Sequence, residues 1–258
     1  MGSVNEILAI VTLIIQIQNG QPVGTATGFF YGKNNIVYLV TNRHVVLDES
    51  KKIKPDILRI KLHTDPKDLT KNVDYDIPLY SKGNSRWHSH KDFGTNNIDI
   101  AIIEIDQDSL KKGHFFKAIS AEMFFPKQYV IQPGEDVMVI GFPRGIHDLR
   151  HNLPLIRNAM ISSAYGINFE GSPFFLIDAN LHPGTSGSPV ITKPKNVWLD
   201  QQGNTNFLAG SPMYFVGIHS ATISIKLPSG DEPLGLSTVW YGYLIEEIID
   251  SFQKNNRP

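Results

Sequence analysis

Short runs of β-branched and aromatic residues, each closed by Gly, Pro, Asn or Asp, recur along the whole chain and commit it to β structure. A first set lies at residues 11–18, 26–31, 36–41, 57–63 and 98–105. A second set lies at 136–140, 155–162, 174–178, 188–191, 214–219 and 236–243. Lys33-Asn34-Asn35 separates two apolar runs and reads as a hairpin turn, as does Gln202-Gly203-Asn204 inside a polar insertion at 193–211. A single segment shows helical periodicity: Leu244, Ile245, Ile248, Ile249 and Phe252 recur at three- and four-residue spacing, which predicts a short terminal helix at 244–253. The stretch 117–132 lacks strand alternation, carries Pro126 and runs into Pro133 and Gly134, so it reads as a link between two β units. The chain is therefore expected to be all-β, with one β-barrel in residues 1–125 and a second, followed by the helix, in residues 126–258.

Composition narrows the function. The 258 residues are 41% hydrophobic, enough for a sizeable core, and the formal net charge is −1 with no long block of one sign. That balance lacks the basic field expected of a nucleic-acid partner. Cysteine is absent, which removes disulfides, thiolate metal sites and cysteine nucleophiles together, and suits a reducing cytoplasm. The apolar run at 7–15 is preceded by MGSVNE, without Lys or Arg, and is too short to span a bilayer. It reads as the first buried strand, and neither export nor a membrane partner is expected. The charged region 48–95 reads as surface loops with short strands. Within it, His88-Ser89-His90 with Asp92 has spacing for one strand face but no evident fourth ligand, so it reads as a solvated loop and no metal or cofactor is expected.

Three short segments carry the chemistry. In Gly184-Thr185-Ser186-Gly187-Ser188-Pro189, glycines on both sides allow a sharp turn that exposes a serine. The same turn can aim two backbone N–H groups at one point beside the serine oxygen, where a negative oxygen would develop. A serine hydroxyl needs a neighbouring base to attack. Leu39-Val40-Thr41-Asn42-Arg43-His44 places a histidine where an apolar strand ends. Ile98-Asp99-Ile100-Ala101-Ile102 places one carboxylate in an apolar strand, where burial is costly unless it is paired. His44 is the expected partner of Asp99.

The order His, Asp, Ser and these contexts resemble the trypsin- and chymotrypsin-like serine peptidases. TNRHVV resembles the family's histidine motif, DIAI its aspartate motif and GTSGSP its nucleophile motif. Asp178-Ala179-Asn180 through Val190 resembles the bacterial HtrA-type branch. GTSGSPV with Val216-Gly217-Ile218-His219 resembles staphylococcal glutamyl endopeptidases, and the similar segments run from about Thr27 to Val239. The resemblance implies two six-stranded antiparallel barrels and an endopeptidase that acts on protein or peptide substrates through an acyl-enzyme. It implies His44, Asp99 and Ser186 as the triad, with the N–H groups of Gly184 and Ser186 as the oxyanion hole. It further implies a substrate groove built from Asn180, Leu181, His219, Ser220, Ala221 and Thr222. Ser220–Thr222 would pair with an extended peptide. His219 stands where relatives read Glu or Gln before the cut, whereas Leu181 would suit an apolar side chain.

Two departures matter. Thr185 stands where digestive relatives carry the Asp that pairs with a newly cut N-terminus, so activation by N-terminal cleavage is not expected. Ser188 replaces the usual Gly. The competing reading is a protease-fold module that holds a peptide without cutting it, or that waits for a regulatory protein partner.

Overall fold

Asn34 and Asn35 both adopt positive φ, 52° and 63°, and Lys33 pairs directly with Ile36 across them. Two consecutive residues at positive φ form the tight turn whose twist matches a hairpin, and Asn tolerates that region better than most side chains. The computed structural model describes residues 6–106, 110, 113–228 and 230–255. The turn joins β2 (Gln21–Lys33) to β3 (Ile36–Thr41). Around them stand β1 (Val11–Gln18), β4 (Ile57–His63), β5 (Asn72–Pro78), β8 (Trp87–Ser89) and β9 (Ala101–Glu104), with a two-strand hairpin of β6 (Tyr80–Ser81) and β7 (Asn84–Ser85) beside them. The seven main strands form one antiparallel sheet in the order β5-β4-β1-β2-β3-β9-β8.

In the second half, β11 (Asp136–Gly141), β12 (Leu155–Ile161), β13 (Phe174–Asp178), β18 (Gly230–Tyr241), β17 (Phe215–Leu227) and β14 (Pro189–Thr192) close into a six-stranded barrel. The polar insertion forms β15 (Val197–Asp200) and β16 (Thr205–Phe207), which join β10 (Tyr129–Val130) in a small sheet. The chain ends in a helix, Tyr243–Asn255, one turn longer than its apolar stripe.

The expectation of two six-stranded barrels thus holds for the second half alone. The first half is an open seven-stranded sheet whose edge strands, β5 and β8, are not paired with each other. Pro78, which has no N–H to donate, ends β5, and the β6–β7 hairpin intervenes before β8, which is only three residues long. The strand expected at 98–105 is also shorter, Ala101–Glu104. Asn42 Nδ2 donates to the Asp99 carbonyl at 2.7 Å, so this backbone bonds to the His44 turn ahead of the ladder. β5 escaped the sequence reading although Val73, Tyr75 and Ile77 alternate. Its polar positions pair with β4 through Arg59–Asp76 at 2.7 Å and Lys61–Asp74 at 2.8 Å.

Strand alternation sorts the apolar residues into three cores. Ile14, Phe30, Leu39, Leu58 and Ile103 fill the first sheet's own core, and Val137, Val139, Phe175, Ile177 and Val190 fill the barrel. Phe29, Tyr31, Tyr38 and Val40 point the other way, against Ile140, Phe142, Phe215 and Ile218 of the second half and Leu244, Ile245, Ile248 and Ile249 of the helix. Each such side chain, fully buried, contributes roughly 1.5–3 kcal/mol. Glu246 on the helix accepts from the Tyr31 hydroxyl and pairs with Lys33, which also reaches Asp250 at 2.6 Å. His88 stacks on Phe252 at 4.1 Å, and His90 Nε2 donates to Glu247 at 2.9 Å. These two histidines therefore pack the helix against β8 instead of lying in a solvated loop.

Candidate active site

β3 ends at Thr41, and the next turn is helical, α1 (Arg43–Val46). That turn presents the amide and the ring of His44 to one carboxylate. Asp99 Oδ1 accepts from the His44 amide at 2.9 Å, and Oδ2 accepts from His44 Nδ1 at 2.6 Å. Ser220 Oγ donates to the same Oδ2 at 2.7 Å. Burial alone would raise the Asp99 pKa, but the donors on His44 and Ser220 outweigh it and hold the carboxyl below its ordinary value. Since Nδ1 carries the hydrogen toward Asp99, the neutral His44 ring keeps its lone pair on Nε2.

Ser186 sits in the turn before β14. Gly184 (φ +94°) and Gly187 (φ +84°) flank it, and any side chain there would collide with backbone: an added Cβ would lie 2.5 Å from the Phe142 carbonyl oxygen at Gly184 and 2.2 Å from that of Thr27 at Gly187. The turn is braced from within. Thr185 donates its hydroxyl (2.7 Å) and amide (3.2 Å) to the His182 carbonyl, so the residue that replaces the activating Asp is satisfied locally. His219 donates from Nδ1 to the Thr185 carbonyl at 2.9 Å and from its amide to Ser188 at 2.9 Å, and accepts from Gly187 N at 3.0 Å.

The turn is also held from the first sheet. Thr27 donates its amide to the Ser186 carbonyl (2.9 Å) and its hydroxyl to the Gly184 carbonyl (2.8 Å), and its Oγ1 accepts from Phe142 N (3.0 Å). The amides of Gly184 and Ser186 have no acceptor among the described residues. The Ser186 hydroxyl donates to the Ser220 carbonyl at 3.1 Å, and no bond joins it to His44 among the described residues.

The expected groove residues divide. Ala221 and Thr222 are exposed on β17, one step past Ser220. Asn180 is exposed as well, and its carbonyl accepts from Arg157 Nη2 at 2.7 Å. Leu181 belongs to the barrel core. His219 is 3% exposed, and its Nε2 is inaccessible to solvent and has no partner among the described residues. Burial pushes its pKa down to about 4, so the ring is neutral at pH 7. The Arg43 guanidinium lies 3.7 Å over the Phe93 ring. Sequence reasoning missed Thr27 and the side chain of Ser220. The one signal for Thr27 is a polar residue within the otherwise apolar run 26–31.

A search of curated protein sequences finds no match. Among solved structures, the chain is similar to the serine endoprotease from Yersinia pestis, with a TM-score of 0.55 and 14% identity. That likeness covers 97% of this chain and 65% of the longer Yersinia chain. It is also similar to the inactive form of the Ser343Ala mutant of Rv3671c from M. tuberculosis H37Rv, with a TM-score of 0.50, 15% identity and coverage of 97% and 90%. At such identities these likenesses speak for the fold alone. Among the described residues, no helix is long and apolar enough to cross a membrane. The profile of the trypsin-like peptidase domain family matches residues 26–197, a stretch that includes His44, Asp99 and Ser186, and the chain belongs to that family.

Proposed function

We propose that the protein is a serine endopeptidase in which Ser186 is the nucleophile, His44 the general base and acid, and Asp99 the group that orients the ring. The observation that carries this reading is the position of Ser220, which bonds Asp99 through its hydroxyl and Ser186 through its carbonyl and so brings the acid and the nucleophile to one residue. In the reaction, Ser186 Oγ attacks the peptide carbonyl while His44 Nε2 takes its proton. The carbonyl oxygen becomes an oxyanion facing the amides of Gly184 and Ser186. His44 then gives the proton to the leaving amine, and water hydrolyses the acyl-enzyme by the same steps in reverse. Asp99 stabilises the imidazolium throughout.

Substrate binding supplies the missing alignment. The strand edge running from buried Ser220 to exposed Ala221 and Thr222 offers backbone groups to an extended peptide. An incoming amide N–H competes for the Ser220 carbonyl and frees the Ser186 hydroxyl to turn toward His44. The geometry gives no support to the Glu-or-Gln preference attached to His219, because the ring is buried and its Nε2 is closed to solvent. With Nδ1–H held by the Thr185 carbonyl, His219 braces the nucleophile turn from behind.

The bond from Ser186 to Ser220 also favours a second reading, a peptide-holding module or an enzyme silent until a regulatory protein binds. Labelling with a fluorophosphonate probe, mapped by mass spectrometry, separates the two. Modification of Ser186 in the wild type and none in Ser186→Ala supports the enzyme. A folded wild type that resists the probe refutes a resting active site and leaves the second reading.

A further inference from the structure

The second barrel, the segment leading into it and the first turn of the terminal helix enclose a cavity of about 540 Å³. None of His44, Asp99 or Ser186 lines it, and its volume falls in the range of small-molecule sites. The walls are aromatic. Tyr165 meets Phe125 edge-on at 5.8 Å and Tyr241 edge-on at 5.5 Å, while Tyr241 stacks with Tyr243 at 5.7 Å.

These walls are tied to one another, so the space is preformed. Phe125 N donates to the Phe215 carbonyl at 3.2 Å, and Gln201 Nε2 donates to the Lys127 carbonyl at 2.9 Å. The Tyr241 hydroxyl accepts from Gly166 N at 2.9 Å and donates to the Ile167 carbonyl at 3.1 Å. Two features point to the ligand. Lys127 is the single formal charge among the lining residues, which include no carboxylate. The Tyr165 hydroxyl, a second lining group, makes no hydrogen bond to a described residue, and burial keeps it protonated and able to donate.

We propose that this cavity binds a small aromatic anion, its flat ring held among the tyrosines and its negative group paired with Lys127. A ring fits walls that present both faces and edges of other rings. An anion meets a cation without a competing carboxylate in the lining. The site is separate from the peptidase reading and stands or falls without it.

Two dyes with one ring skeleton test it. 8-Anilinonaphthalene-1-sulfonate carries the negative group, and N-phenyl-1-naphthylamine lacks it. Fluorescence titration of the full chain should show the sulfonate binding saturably at one site, on the order of tenfold tighter than the neutral dye. Lys127→Ala should abolish that difference while the neutral dye still binds. Asn168→Trp, at an exposed position of the lining, should weaken both dyes about tenfold or more by filling the mouth. Circular dichroism and Tm, unchanged in both variants, establish that each is folded. Sulfonate binding at many sites, no binding, equal affinity for the two dyes in the wild type, or binding indifferent to Asn168→Trp would overturn the proposal.

Discussion

Ser220 holds the oxygen of Asp99 that also holds His44: its hydroxyl reaches Oδ2 at 2.7 Å, beside the 2.6 Å bond from His44 Nδ1. A hydrogen bond to a charged group is worth about 1.5–3 kcal/mol. Ser220→Ala removes it while sparing the backbone carbonyl that receives Ser186. kcat/KM on a peptide substrate should fall about 10- to 100-fold. Because Asp99 loses a donor, the pH–rate profile should move with it, a change that a purely structural loss would not produce. An unaltered rate and profile would remove Ser220 from the site.

Thr27 should matter as much as a residue that touches the substrate. Thr27→Val keeps the shape but leaves the Gly184 carbonyl and Phe142 N–H without their partner. The Gly184 carbonyl lies one peptide unit beyond the Gly184 amide assigned to the oxyanion, so the two are coupled through the same residue's backbone. Loss of one such donor costs roughly 10²–10³ in kcat, and a partial misalignment should cost about tenfold or more, with KM little changed. Steady-state kinetics on the folded variant would show the split.

His219 gives stability a defined pH dependence. Its pKa is about 4 in the fold and about 6.5 when unfolded. As pH falls below about 6.5 the unfolded chain takes up the proton first, so the stabilisation present above that pH is lost on the way down to about 4. The full loss is about 3 kcal/mol. His88, whose pKa burial also lowers, adds to it in the same direction. Asp99, whose pKa is depressed, contributes stability above its ordinary value of 3.8 and loses it below, outside this window. Urea midpoints between pH 7 and 4 should decline in the wild type and decline much less in His219→Gln.

Glu246 fastens the helix to the first sheet. Glu246→Ala leaves the Tyr31 hydroxyl, on a residue with no exposed surface, without its acceptor. A buried polar group stranded in this way costs about 1–3 kcal/mol. Chemical denaturation should show that loss, and Tyr31→Phe combined with Glu246→Ala should recover part of it, because the stranded hydroxyl is then gone.

What the sequence made legible followed from local rules. The Asn34-Asn35 turn, the apolar strands and the stripe of Leu244, Ile245, Ile248 and Ile249 report a periodicity or a backbone preference set within a few residues. The positions of His44, Asp99 and Ser186 came from motif contexts, and the bond from His44 to Asp99 agrees with their expected pairing. What stayed hidden depended on distant partners. Closure of the first sheet turned on how Pro78 and a short hairpin end one edge. Thr27 draws its importance from Gly184 and Phe142, more than a hundred residues away in the chain. His219 was expected to face a substrate, and its alternation on β17 gave no hint that Thr185 would capture its Nδ1 and burial would hide the rest.

β3 behaves as a party wall. Leu39 furnishes the first sheet's core, and its neighbours Tyr38 and Val40 furnish the room shared with the barrel and the helix. Neither side of such a wall is free for remodelling on its own. A chimera that took its barrel from another member of the family would inherit a surface cut to different neighbours, and the wall would have to be refurnished before Ser186 met its intended histidine. The outer strands serve only the first sheet's own core, through Ile77, Tyr75 and Tyr80, which makes the exposed turn at Lys82-Gly83 between β6 and β7 the place where an affinity tag or a new loop could be housed without disturbing the occupants within.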